Sequence, residues 1–595
     1  MRFFQMLIAS TLGVLLAGFI IFIIVFITVV SSAEEPEPYI RDNTVLQIEI
    51  SGTLPAHAAT NPFDEILNPD KRQPVSLESL KANLEKAASH DKIKGVWLHI
   101  NILASTWANL EEAHRLVKSF ADSSDKFVYA STDDIGLNEA GYYLATAADS
   151  IFSPPETYFE FDGFYTQVSF LAGLFERIGI EAEVTRHGKY KSAVEPFYRR
   201  ELSEESAYQL EELLVDVNSN FVEDVSSKTG KTAEELNRLL NSQPSLSAGV
   251  AFQNGLIDSL IYPDQVVSLI KERIGLDADK ELNTVSNSRY SRVTAESAGI
   301  NRPSTENKIA VIYASGPIMS SSNGQNPFDT QSYITAAEIK SHLDDIRDDS
   351  DIKALVIRIN SPGGSGSTSD LIWRMLRETS RDIPVIASMG PVAASGGYYI
   401  AMAADTIVAE STTITGSIGV FGTKFNARNL FNEELGITFD LVKTHDHADW
   451  LVPTRGLTSS EEKAFQEFID TFYNTFIGKV AESRGMTVEQ VDQVAQGRVW
   501  TGVDAREQNL VDELGGIHDA IRIAAEKAGI ESYRTTVYPR KKELFELLMS
   551  STESRIKSWF SNPFLDQKEL RQAYDGLSLK NRDALTLLPY EINIQ

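Results

Sequence analysis

The chain holds 595 residues, 42% hydrophobic and 23% charged, which is too long for one domain and excludes both disorder throughout and a polytopic membrane protein. Asp plus Glu (83) outnumber Lys plus Arg (55), giving a formal charge of −28, so phosphate backbones repel the chain and nucleic acid is excluded as a partner. The absence of cysteine removes a thiol nucleophile, a disulfide framework and thiolate metal ligation together.

Residues 7–30 carry no charge, and their only hydroxyl side chains are Ser10, Thr11 and Thr28. About 20 apolar residues cross a bilayer, so a membrane anchor is expected within residues 1–33. Arg2 precedes the run and Glu34, Glu35 and Glu37 follow it, which favours an inside N-terminus and a body outside the cytoplasm. Ser31-Ser32-Ala33 offers the small-x-small pattern of a cleaved signal peptide. Signal-peptide cores run about 7–15 residues, however, and this run is longer. Both readings export the body.

The remainder is written twice, at a spacing of about 256 residues. DKIKGVWLHIN (91–101) matches SDIKALVIRIN (350–360), and AGYYLATAADSI (140–151) matches GGYYIAMAADTI (396–407). The stretch 202–236 runs parallel to 457–491, and AFQNGLIDSL (251–260) to AREQNLVDEL (505–514). A repeat this long is a duplicated domain. Within each copy VWLHI and ALVIRI are continuous apolar runs, as buried parallel strands require, and periodic helical stretches follow them. Strand alternating with helix gives an α/β domain on a parallel sheet. The expected boundaries are a first copy over 40–282, a polar linker without periodicity over 283–307, a second copy over 308–540 and a tail over 541–595.

The differences between the copies carry the chemistry. After the strand ALVIRI the second copy has NSPGGSG (360–366), where the first has NILASTW (101–107). Adjacent glycines let backbone approach a ligand and aim N–H groups at it, although a tight turn after Pro362 would use them too. The second copy then has AASGGYY (393–399) against NEAGYY (138–143), so that Ser395 faces Glu139 and Gly396 faces Ala140. A serine at a strand-to-helix turn stands exposed above the sheet and suits a nucleophile, while the plainer reading is a helix N-cap. Together with the upstream glycines the balance moves to a nucleophile, with the N–H groups of Gly364 and Gly396 as oxyanion donors.

A serine nucleophile needs a base. His445 and His447, in THDHADW, lack a third ligand motif and read as a surface loop rather than a metal site. HGKYKSAVEPF (187–197) in the first copy has lysines where its counterpart THDHADWLVP has none. One copy would then supply serine and glycines and the other a lysine. A lysine base must lose its charge, from a pKa of about 10.4 toward 7–8, which costs about 4 kcal/mol and calls for burial away from acids. Glu195 is close in sequence, and spacing alone leaves Lys189 and Lys191 equally eligible.

GKYKSAVEPF, SPGG, MGPVAASGGYYIAMAAD, TGSIGVFG and GRVWTGVDAREQNLVDELGG, in this order, resemble the long, duplicated form of the signal peptide peptidase A (protease IV) family over nearly all of the chain after the anchor. The resemblance implies two tandem domains of the Clp protease/crotonase type, built of stacked β-β-α units. It implies a serine protease with a Ser/Lys dyad and no cofactor: Ser395 as nucleophile, Lys191 as general base, Gly364 and Gly396 as oxyanion donors. It also implies cleaved signal peptides and other short apolar peptides as substrates, a homotetramer, and a body on the outer face of a bacterial inner membrane. Ser417, in TGSIG (415–419), is a further candidate: its hydroxyl can orient the Lys191 amine, and the first copy has Phe161 near that position. A turn serine beside glycines is the simpler alternative. The tail starts basic (Arg540, Lys541, Lys542) and continues with an apolar face, fitting a helix packed on the body or a neighbour, or one lying on a membrane. Two rivals remain. An acyl-CoA enzyme of the same fold would need neither Ser395 nor Lys191, and a non-catalytic peptide scaffold would survive loss of Ser395.

Overall fold

The computed structural model describes residues 37–57, 74–133, 135–242, 245–301, 305–320, 332–540 and 585–587, with the isolated positions 13 and 18. The expected anchor over 7–30 and most of the tail lie outside the described residues. Among those described, no helix is long and apolar enough to cross a membrane.

The first copy opens with β1 (Thr44–Gly52), α1 (Leu77–Ser89), β2 (Ile93–Leu103), α2 (Trp107–Ser123), β3 (Phe127–Ser131), α3 (Glu139–Ala145) and β4 (Ser150–Ser153). β1 to β4 lie side by side in chain order, every pair parallel. The run VWLHI forms the centre of β2, and Val96, Leu98 and Ile100 are fully buried. β5 (Glu181–His187) and the long helix α4 (Glu204–Thr229) follow. α4 begins at an N-cap, Ser203, and ends at Gly230 in the left-handed conformation that glycine adopts without strain.

Residues 283–307 do not begin as a linker. β6 (Asn283–Ser286) joins the first sheet beside β1, from Thr44↔Asn283 to Gln47↔Ser286. Tyr290 is fully buried. Polar residues enter the core here because polar partners on α1 meet them. Asn83 Nδ2 donates to Asn287 O at 2.9 Å, and Lys86 Nζ to the carbonyls of Tyr290 and Val293 at 3.1 and 3.0 Å. The first copy therefore extends past Val293.

The second copy repeats the plan with β7 (Lys308–Ser315), β8 (Ile352–Ser361), β9 (Gly363–Ser365), α5 (Gly366–Thr379), β10 (Val385–Ala394), α6 (Gly396–Ala401), β11 (Ile414–Gly416), β12 (Val420–Asn426), α7 (Ser459–Arg484), α8 (Ile517–Ala528) and β13 (Arg534–Tyr538). Its main sheet runs β13-β7-β8-β10-β11, extended by Val499–Trp500. Internal equivalence reaches single hydrogen bonds. The Tyr142 hydroxyl donates to Leu256 O at 2.8 Å in one copy, and the Tyr398 hydroxyl to Leu510 O at 3.0 Å in the other.

The copies are locked together by a buried ion pair, Arg358 to Glu112 at 2.9 Å, and by a second from the exposed Arg115 to the buried Glu410 at 2.6 Å. They also share a sheet. β5 of the first copy pairs antiparallel with β12 of the second from Glu181↔Asn426 to His187↔Val420. In that sheet β14 (Leu585–Leu587), from the tail, lies between β9 and β12.

Candidate active site

β10 carries the chain to Ser395 and α6 begins one residue later. Ser395 stands at φ +57°, ψ −113°, in a region that costs a non-glycine residue roughly 1–3 kcal/mol and must be imposed by its surroundings. Its N–H donates to Gly416 O at 2.8 Å, pinning the turn to β11. Its side chain makes no capping bond to α6, so the plain N-cap reading does not hold. The hydroxyl turns instead to Lys191: Nζ and Oγ are 2.7 Å apart, and both residues are fully buried.

Lys191 reaches that position through the shared sheet. β5 pairs along β12 and delivers residues 188–191 over the end of β11. The backbone of Gln496 and Gly497 forms the wall behind. Tyr190 N–H donates to Gln496 O at 2.9 Å, and Gly497 N–H to Ile418 O at 2.8 Å. A Cβ on Gly497 would lie 2.6 Å from Lys191 Cβ, so only glycine leaves room for the lysine stem. Lys191 Nζ also lies 2.9 Å from both Ser417 O and Ser417 Oγ. Burial holds the amine well below the usual lysine pKa, because the charged form loses its water and, among the described residues, no carboxylate faces it. Glu195 is turned away. Its oxygens accept from Ser203 N–H at 3.2 Å, Ser203 Oγ at 2.7 Å and Ser206 Oγ at 2.9 Å.

Lys189 is exposed, its ammonium resting over the Tyr190 ring at 4.9 Å. Of the two lysines, geometry brings only Lys191 to the serine. His445 and His447 lie on an exposed loop, with His447 Nδ1 3.1 Å from Glu461. Gly364 sits in β9 at φ +151°, where a Cβ would fall 2.0 Å from Ile318 O; a side chain is therefore barred from this position. Gly396 opens α6 directly after Ser395, and the first N–H groups of a helix have no partner within it. Gly497 and Gln496 were not singled out from sequence. They stand in the GRVWTG block, but nothing local to that block says that it backs a residue about 300 positions away.

The equivalent place in the first copy is chemically different. Glu139 is buried where Ser395 stands in the second, and its Oε1 accepts the N–H groups of Asp162 at 2.7 Å and Gly163 at 3.2 Å. Burial, helped by Glu160, pushes its carboxyl up to about 7. A cavity of 470 Å³ opens beside it, bordered by Trp107, Glu160, Asp162 and Tyr165 and, from the other copy, Val392 and Thr412.

Comparison with known proteins matches both copies to one family. The model of peptidase family S49 matches residues 121–277 and 377–531, the first range holding Lys191 and the second Ser395 and Ser417. The chain is 40% identical over 458 residues to a chloroplastic serine protease SPPA of Arabidopsis thaliana, covering 77% of this chain and 66% of that protein. It is 30% identical over 530 residues to Protease 4 of Salmonella typhi, covering 86% and 83%, and 31% identical over 453 residues to Protease 4 of Haemophilus influenzae, covering 74% and 71%.

Proposed function

We propose a mechanism for a chain that belongs to peptidase family S49 and is a serine protease. The 2.7 Å approach of Lys191 Nζ to Ser395 Oγ, with no carboxylate acting on the amine, carries it. A neutral amine has two N–H groups and one lone pair. Ser417 O and Oγ take the two hydrogens, which aims the lone pair at the Ser395 hydroxyl. Lys191 then removes the hydroxyl proton as Oγ attacks a peptide carbonyl, and the tetrahedral oxyanion lies on the N–H groups of Gly364 and Gly396. The ammonium returns its proton to the leaving amine, and water repeats the cycle on the acyl-enzyme.

The substrate binds as an extended strand between β9 and β12. The presence of β14 in that slot, paired Gly363↔Leu587 to Ser365↔Leu585, supports this mode, since a segment of peptide backbone fits there. The substrate class is cleaved signal peptides and other short apolar peptides, in keeping with a relative from Enterococcus faecium named as a signal peptide peptidase. The resemblance noted above further supports the Clp protease/crotonase type for both copies, a homotetramer, an anchor over residues 7–30 and a body on the extracytoplasmic side of a bacterial inner membrane.

The test is hydrolysis of a quenched apolar peptide. Ser395→Ala and Lys191→Ala are expected to lose about 10³-fold or more in kcat, while Lys189→Ala keeps its rate. Near-normal turnover by Lys191→Ala would show that another group is the base.

A further inference from the structure

Behind Lys191 the backbone turns twice in the left-handed sense. Gln496 and Gly497 follow each other at φ +56° and +79°. Glycine adopts this region freely, but glutamine does not, so Gln496 is held there by its surroundings. Its carbonyl accepts the Tyr190 N–H at 2.9 Å, one residue before the base. Gly188 passes so close that a Cβ on it would collide with the same oxygen. The direction of this one carbonyl therefore sets the path of residues 188–191.

What holds Gln496 is a knot of side chains. Gln496 Nε2 donates to Asp492 Oδ1 at 2.6 Å, and the Tyr473 hydroxyl donates to the same oxygen at 2.5 Å. The Tyr473 oxygen in turn accepts the Gln496 backbone N–H at 3.3 Å. Gln496 is thus gripped by its side chain and by its backbone together. Tyr473 is fully buried and comes from α7, while Asp492 comes from the short helix Val488–Val494, which ends just before Gln496. Tyr473 also meets the first copy. The ring of His187, the last residue of β5, stacks on it with centroids 3.9 Å apart and planes 19° apart. His187 Nδ1 lies 2.7 Å from Asp470 Oδ1, also on α7. One tyrosine therefore holds the end of β5 by its face and the Gln496 turn by its hydroxyl.

The first copy shows the same helices without a dyad to serve. Ser203 caps α4 as Thr458 caps α7, and Gly230 ends α4 as Gly485 ends α7, both pairs 255 positions apart. At that spacing Tyr473, Asp492 and Gln496 correspond to Asn218, Asn237 and Asn241. Asn241 stands at φ −92° and makes no left-handed turn. The tyrosine, the carboxylate and the strained turn thus occur together in the second copy and are missing together from the first. We propose that Tyr473 and Asp492 are positioning residues for the base: they hold Gln496 in its left-handed turn, and that turn seats the Tyr190–Lys191 segment so that the amine meets Ser395 Oγ. Both act through Gln496 and not on the reacting atoms. The inference rests on Lys191 being the general base and adds the groups that place it.

The test is kcat and KM of the full-length chain for a quenched apolar peptide, measured across pH on protein shown to be folded by circular dichroism. Tyr473→Phe keeps the ring on His187 and loses only the hydroxyl. It should lower kcat about 10- to 100-fold, as a displacement near 1 Å does, and leave KM within about twofold. The acidic limb of kcat should move to higher pH, because an amine drawn off its seat meets water and regains its charge. Adding Gln496→Gly should return most of the rate, since glycine takes the left-handed turn without being held. As single variants, Gln496→Ala should be slower than Gln496→Gly although both lose the side chain, and this pair carries the test if Tyr473→Phe does not fold. A wild-type kcat and acidic limb in folded Tyr473→Phe would overturn the proposal, as would equal rates for Gln496→Ala and Gln496→Gly. Lys191→Ala is run beside them. Normal turnover by Lys191→Ala would place the base elsewhere and sink both readings, whereas a dead Lys191→Ala beside an unimpaired Tyr473→Phe would sink this inference alone.

Discussion

Replacing Lys191 by methionine should abolish turnover and raise thermal stability, and the stability gain should depend on pH. The side chain is fully buried and its amine titrates well below the usual lysine value because of that burial. The sign follows from proton binding. With a depressed folded pKa, the unfolded chain binds more protons between the folded value and about 10.4, so the destabilisation is full below the folded value and vanishes above about 10.4. Each unit of depression costs about 1.36 kcal/mol of stability while the amine is charged. Methionine fills the same unbranched slot against Gly497 but leaves Ser395 Oγ, Ser417 O and Ser417 Oγ without their donor, a loss of about 1 kcal/mol for each bond not remade. At pH 6 the gain is about 1.36 kcal/mol for each unit of depression less the bonds not remade, and the thermal midpoint rises with it. It should shrink toward zero, or reverse, at pH 10. Thermal unfolding of both proteins at the two pH values, followed by circular dichroism, reads this directly. An equal destabilisation of Lys191→Met at both pH values would refute the reasoning, because it would mean that the lysine is buried without loss of its charge.

Ser417→Ala removes one of the two oxygens that take the amine hydrogens, at 2.9 Å. An acceptor favours the charged amine, so the acidic limb of kcat against pH should move to lower pH while the plateau falls about tenfold; an unchanged profile would make Ser417 a turn residue. Gly497→Ala forces a Cβ to 2.6 Å from Lys191 Cβ at φ +79°, so kcat should fall far more than KM rises, in a peptide assay on protein shown to be folded. Truncation after residue 580 removes β14 from the slot beside β9, and should lower KM for a short apolar peptide while leaving kcat alone. Glu139→Gln changes only the first copy's cavity, and peptide hydrolysis should be unaffected.

The duplication, the parallel strands and the loss of the serine from the first copy are all legible in the chain, because each is a local signal. An apolar run of five or six residues forms a central strand wherever helices cover it, and VWLHI and ALVIRI became β2 and β8. A serine between a strand and two glycines marks a sharp turn whatever lies around it. The polar stretch from Asn283 misled, because polarity reports exposure only where no buried partner waits, and Asn83 and Lys86 were waiting. The same limit governs the site. Lys189 and Lys191 are two positions apart in one segment, and nothing in their spacing separates a lysine resting on Tyr190 from one that meets Ser395, 204 positions away. That choice belongs to the tertiary structure. A lysine becomes a base only when its ammonium loses water, and the groups that exclude water here, Gly497, Ser417 and the edge of β12, come from the other copy.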